Sequence, residues 1–169
     1  MKTKKKSKWR RLRQLIVKLL MFVVFTGAVF TFVFGFLRVS GNNMFPMLKD
    51  GDFCLYYRLT KAYLEDMVVY EDNNGILHTG RVVAMGGQTV DFLKDGGLLV
   101  DGSIPSEYLP YETLQAENSD VEYPLELNED EYFILNDYRS DTTDSRQYGV
   151  IPSSSIKGKG IFILRRRSI

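Results

Sequence analysis

The 169-residue chain has one cysteine, one histidine and one tryptophan. A lone Cys54 excludes an intramolecular disulfide and any zinc site built from several thiolates. A lone His78 leaves no His-rich metal site and all but removes a Ser-His-Asp triad, so a catalytic base would have to be a lysine or a carboxylate. Acidic residues are missing from the first 18 positions, which hold nine basic ones: Lys2, Lys4, Lys5, Lys6, Lys8, Arg10, Arg11, Arg13 and Lys18. The rest carries 13 basic against 21 acidic residues. Its net charge of about −8 argues against nucleic acid as a partner. Neither a long amphipathic helix nor an internal repeat is evident.

Charge is also absent from Leu19–Leu37, a run of 19 mostly apolar residues. As a helix it reaches about 28 Å, close to the ~30 Å of a bilayer's hydrocarbon core. Its Phe and Val residues lower helix propensity in water, but in lipid the backbone must bond to itself. The expected organisation is a basic cytoplasmic tail over 1–18, a transmembrane helix over 19–37 and an extracytoplasmic domain over 38–169. The basic cluster sets that orientation, and Trp9 fits an interfacial position. A cleaved signal peptide has a shorter apolar core, ~7–15 residues, and a small-residue cleavage site; here Arg38 follows a longer run. The chain is thus expected in the cell membrane, single-pass, with its N-terminus cytoplasmic and its helix in lipid.

Beyond the run, short aromatic and β-branched stretches alternate with turn signals. Strands are expected at Asp52–Leu59, Met67–Tyr70, Ile76–Met85, Thr89–Lys94, Leu98–Val100, Glu131–Leu135 and Ile156–Leu164. Glu71–Gly75 reads as a turn, Gly86-Gly87 as a break and Asp95-Gly96-Gly97 as a hairpin. Residues 104–130 are acidic, contain three prolines and lack periodicity, as a surface loop or small subdomain would. Many short strands point to a mainly β, antiparallel domain. Cys54 fits as a small core residue. The terminal arginines 165–167 suit lipid headgroups and a solvated tail equally well.

The stretch Val39-Ser40-Gly41-Asn42-Asn43-Met44-Phe45-Pro46-Met47-Leu48-Lys49-Asp50-Gly51-Asp52 joins loop chemistry to apolar side chains. It resembles the nucleophile box of type I signal peptidases, roughly Gly-x-Ser-Met-x-Pro-Thr-Leu followed by Gly-Asp. Gly41, Met44, Pro46, Leu48, Gly51 and Asp52 match, and Asn43 stands at the serine. Gly80-Arg81-Val82-Val83-Ala84-Met85-Gly86-Gly87-Gln88 is similar to the family's Lys-Arg-x-x-Gly-x-Pro-Gly-Asp box, with Gly80 at the lysine. Asn136-Asp137-Tyr138-Arg139-Ser140-Asp141-Thr142-Thr143-Asp144-Ser145-Arg146-Gln147-Tyr148-Gly149 resembles the third box. There Asp137, Arg139, Asp144, Ser145, Arg146 and Gly149 agree, and Thr142 stands where a serine would orient the lysine. The three boxes follow an N-terminal anchor and cover most of the chain, implying the signal-peptidase-like β fold.

In that family a serine attacks the scissile carbonyl and a desolvated lysine takes its proton. Asn43 is neither nucleophile nor base, Gly80 has no side chain, and Arg81 does not deprotonate. Ser40 with Lys49 or Lys61 is a conceivable substitute pair. Ser40, however, lies three residues upstream of the nucleophile position and would face the other way on an extended segment. His78 shares the Gly80 face but has no serine to serve. The resemblance therefore implies a pseudoenzyme with no catalytic residues, no cofactor and no metal.

What the family plan retains is a peptide groove, carried here by Val39, Ser40 and Gly41 on one side and Leu77, His78 and Thr79 on the other. Met44 and Leu48 would line its pockets. Strand addition there would bind an extended segment through main-chain hydrogen bonds. The chain is most similar to dyad-lacking signal-peptidase-like proteins of Gram-positive pilus gene clusters (the SipA type). That similarity implies an assembly factor or chaperone for pilin subunits polymerised by a sortase. Two other readings stay open: an active signal peptidase I with an unrecognised nucleophile, and an interaction module for a partner other than pilins. Arg81, Asp144 and Arg146 are expected to form one structural charge cluster, a carboxylate between two guanidiniums.

Overall fold

A computed structural model of the chain describes residues 2–165, apart from 73, 95–96, 106–110 and 118; for 2–8 only the backbone is described. The expected turn at Asn73, the Asp95-Gly96 part of the hairpin and the last arginines, 166–167, fall outside those residues. A single long helix, α1 (Lys2–Val33), leads into an antiparallel β domain. The strands are β1 (Phe34–Arg38), β2 (Phe53–Tyr57), β3 (Met67–Glu71), β4 (Leu77–Met85), β5 (Thr89–Phe92), β6 (Leu98–Val100), β7 (Leu125–Glu126), β8 (Glu131–Leu135), β9 (Ile151–Pro152) and β10 (Ile156–Leu164). A one-turn helix, α2 (Ser145–Tyr148), sits between β8 and β9. The larger sheet runs β1-β2-β10-β3-β4-β8-β9 and the smaller β6-β5-β7.

The helix continues through the basic segment and ends earlier than its apolar run. Trp9–Val33 is long and apolar enough to cross a membrane, and none of it is buried in the protein. Phe34–Leu37, expected as the last turn of the span, instead begin β1 and pair with Tyr57–Cys54 of β2. Arg58 fixes the switch: its N–H donates to Val33 O (2.9 Å) and its Nε to Phe34 O (3.1 Å). Two ring contacts, Phe30–Phe34 (5.2 Å) and Phe34–Tyr57 (5.7 Å), carry the packing from helix to sheet.

Three packed clusters follow from the two-residue period of the strands. Val39, Met44, Leu48, Cys54, Tyr56, Met67 and Val69 fill one face of the large sheet. Val68, Tyr70, Val82 and Ile134 project from the other face, with Ala62 and Tyr132 beside them. Val83, Ala84, Phe133 and Leu135 meet Val90, Leu98 and Leu127, which joins the small sheet to the large one. The Gly86-Gly87 break allows a close approach: a Cβ on Gly86 would lie 2.4 Å from Glu129 O. The hairpin pairing across 93–98 closes with Leu93 N–H donating to Gly97 O (2.7 Å).

Candidate functional site

The loop from Val39 to Asp52 is closed at its base by Val39 N–H to Asp52 O (2.8 Å) and Gly51 N–H to Val39 O (2.9 Å). Inside it, Leu48 N–H donates to Met44 O (2.8 Å), so both side chains turn inward and are fully buried. Asn43 lies at the junction of three segments. Its amide nitrogen donates to Thr79 O on β4 (3.3 Å) and to Asn136 Oδ1 beyond β8 (3.1 Å). Its carbonyl accepts from Tyr138 N–H (2.9 Å). This side chain ties the loop to the sheet and offers no atom that could attack a carbonyl.

Gly80 pairs with Val68 in the middle of the sheet. A Cβ added there would lie 2.4 Å from Ile134 Cγ2 and 3.4 Å from both Leu135 O and a Tyr70 ring carbon. Ile134 is itself fully buried. The position has no side chain and no space for one without a shift of Ile134. Thr142 contributes its carbonyl, which accepts from Asp144 N–H (2.8 Å).

Beside Asn43 opens a cleft of about 340 Å³. Val39, Ser40 and Gly41 line one wall and Leu77, His78 and Thr79 the other, with Asp141, Thr143 and Tyr148 nearby. These six are the groove residues anticipated from the sequence, brought together here. β8 pairs with β4 only over Arg81–Met85, which leaves the Leu77–Thr79 edge facing the cleft. Met44 and Leu48 do not line it. The inward turn of the loop commits them to the core, where Met44 Sδ also accepts from Asp137 N–H (3.4 Å).

The signal peptidase (peptidase S26) family model matches residues 12–165. The chain belongs to the peptidase S26 signal peptidase family. It is 27% identical over 172 residues to signal peptidase I of Bacillus licheniformis, across 95% of this chain and 92% of that protein. It is 26% identical over 157 residues to a Staphylococcus aureus (strain N315) protein named inactive signal peptidase IA, across 85% and 86% of the two. A solved signal peptidase I from Enterococcus faecalis V583 aligns with a TM-score of 0.49 and 23% identity, over 59% of this chain and 97% of that one.

Around this signal peptidase frame the charged residues form two pairs rather than the single cluster expected. Arg81 makes a bidentate contact with Asp137, Nε to Oδ1 and Nη2 to Oδ2, both 2.6 Å. Its Nη1 donates to Glu65 O (2.7 Å) and its Nη2 to Met47 Sδ (3.1 Å). Asp144 instead receives Arg146, through Nε to Oδ1 (3.0 Å) and Nη2 to Oδ2 (2.7 Å). The division follows from local geometry. Asp144 caps α2 by accepting from Arg146 N–H (3.0 Å) and holds Asn136 N–H (2.9 Å), so its oxygens are committed near their own helix. Asp137, two residues beyond β8, is the carboxylate that reaches Arg81 on β4.

Arg146 is fully buried, and its guanidinium also donates to Arg139 O (2.8 Å), Leu114 O (3.0 Å) and Asp141 O (2.7 Å). Ser145 Oγ accepts from Ile134 N–H (2.9 Å). The third box is thus a buried scaffold that fixes β8, α2 and part of the 104–130 segment. Asn136, the partner of Asn43, was not among the residues the sequence singled out for a site. Its place next to the matching Asp137 was the available signal.

His78 does not act on Asn43. Its Nε2 meets Asp72 Oδ2 at 3.0 Å, and its ring stacks on Tyr70 at 5.6 Å. Lys49 lies over the Phe45 ring at 5.4 Å. Cys54 is wholly buried, and burial pushes its thiol pKa up to about 11. It is a core residue.

Proposed function

We propose that this chain is a signal-peptidase-like pseudoenzyme that holds an extended peptide segment and does not cut it, serving as an assembly factor or chaperone for pilin subunits joined by a sortase. The observation that carries the reading is the contrast at the cleft. At the nucleophile position the Asn43 amide is spent on Thr79 O and Asn136 Oδ1, while the six-residue groove beside it stays open. A strand edge with no neighbouring strand over Leu77–Thr79, beside a cleft, is the arrangement that strand addition uses. The S. aureus relative named inactive supports a non-catalytic role.

The membrane would hold the cleft near the point where surface subunits emerge. The basic N-terminal segment favours a cytoplasmic N-terminus and an outer domain. The solvent face of β1, β2 and β10 supports close approach to lipid: Phe36, Phe53, Phe162 and Leu164 are exposed there, and registers bring Phe36, Leu55 and Phe162 abreast. The test is reconstitution of the full chain in lipid nanodiscs with a pilin and its sortase. The reading expects polymer ladders that require this chain and that fail when Ser40→Trp fills the cleft. Ladders indifferent to the chain would overturn the pilin role. Protease added to protoplasts checks topology; protection of the domain until lysis would reverse the orientation.

A further inference from the structure

Two cavities meet at His78. Besides the cleft, a second one of about 250 Å³ is lined by residues that include Tyr70, Asp72, Tyr148, Val150 and Ile151. His78, Thr143 and Tyr148 border both. On β4 the side chains of Leu77 and Thr79 point to one face of the sheet and that of His78 to the other. A segment added along the Leu77–Thr79 edge would continue this alternation. Its residues beside Leu77 and Thr79 would place side chains in the cleft proper. The one between them would place its side chain on the His78 face, at the mouth of the second cavity.

The chemistry of that cavity selects its occupant. Two carboxylates, Glu71 and Asp72, stand on its wall, and its lining contains no lysine or arginine. Glu71 is neutralised by Lys157. Asp72 accepts from Asn74 N–H (2.8 Å) and Ile76 N–H (2.9 Å) and meets His78. Those contacts, the Ile76 amide foremost, hold its pKa at about 2, so it is an anion at neutral pH. Tyr70, Tyr148, Val150 and Ile151 supply aromatic and aliphatic walls. An anion at one end of an apolar, aromatic slot suits a long aliphatic stem with a cationic head.

We infer that the second cavity binds a lysine or arginine side chain of the extended segment held in the cleft. The inference rests on the cleft being a strand-addition site, and the experiment separates the two ideas. Fluorescein-labelled nine-residue peptides of alternating Thr and Val, with Lys, norleucine or Glu at the centre, are titrated at pH 7 against the full chain in nanodiscs. The Lys peptide should bind about tenfold tighter than the norleucine peptide, as a charge-assisted contact predicts, and the Glu peptide weakest. Asp72→Asn keeps an oxygen for the Asn74 and Ile76 amides and should bring the Lys-to-norleucine ratio to about one. Equal affinities of the three peptides for the unmodified chain, or an unchanged ratio in Asp72→Asn, would overturn the basic-side-chain pocket and leave the cleft standing. No binding of any peptide to chain shown folded by circular dichroism would overturn the cleft as well.

Discussion

The Asn43–Gly80 region and the stretch 136–149 lie side by side and are held differently. In the first, Asn43 is hydrogen-bonded into the sheet, and Ile134 stands where a side chain at Gly80 would begin. In the second, Asp144 and Arg146 are buried and paired, and Arg146 donates to Asp144, Leu114 O, Arg139 O and Asp141 O. Losing a nucleophile and a base costs a fold little, because neither is needed for packing. Losing one member of a buried ion pair strands the other without solvent, which costs far more than the pair contributes over an apolar replacement. Substitution of the buried pair should therefore cost more stability than substitution at Asn43.

That comparison fails first if the buried charges prove dispensable. Asp144→Ala leaves Arg146 without its carboxylate and removes the α2 cap. The expected loss is ~3–5 kcal/mol, a large share of the ~5–15 kcal/mol of a domain this size. Urea unfolding of the full chain should show a correspondingly lower midpoint; an unchanged midpoint would mean that the pair is solvated. Next in size is Gly80→Lys. It drives a side chain into Ile134 and should destabilise by ~1–3 kcal/mol through overpacking, read in the same unfolding assay. A neutral result would show that the strand can open there.

Asn43→Ala should be milder. It removes two hydrogen bonds from a partly buried amide, worth about 1 kcal/mol together. Asn136 would then gain solvent through the cleft. Thermal melts of Asn43→Ala and Asp144→Ala measured together give the ranking, and a larger fall for Asn43→Ala would invert the account. The smallest effect concerns Cys54. With its pKa near 11 the thiol stays protonated at pH 8, and the thiolate is the reactive form. Iodoacetamide should label the denatured chain and spare the folded one. Rapid labelling of the folded chain would place Cys54 outside the core.

Much of this was legible in the sequence where period and punctuation agree. Leu98–Val100, Glu131–Leu135 and Ile156–Leu164 are strands over the expected residues, because short apolar stretches stand between clear breaks. β1 was hidden because Phe34–Leu37 continue an apolar run without a charge. Only the β2 partner, reached across the intervening loop and pairing Phe36 with Leu55 and Arg38 with Phe53, decides strand over helix. The burial of Met44 and Leu48 depends on the turn of a loop, and no periodicity reports that. The partner of Arg81 was equally hidden: Asp144 was expected, and Asp137, seven residues earlier, takes its place because the α2 cap occupies Asp144. The six residues that the family resemblance implied for a groove line one cleft; whether a peptide occupies it is the proposal.

The proposed function requires a chain that does not cut the peptide its cleft holds. Mass spectrometry of a preprotein carrying a signal peptide, after incubation with the full chain in nanodiscs, tests it most directly. Run with the unmodified chain and with Asn43→Ser/Gly80→Lys, it should return intact preprotein from the first and at most a trace of product from the second, whose lysine enters a filled site. Robust, site-specific cleavage by the unmodified chain would contradict the account.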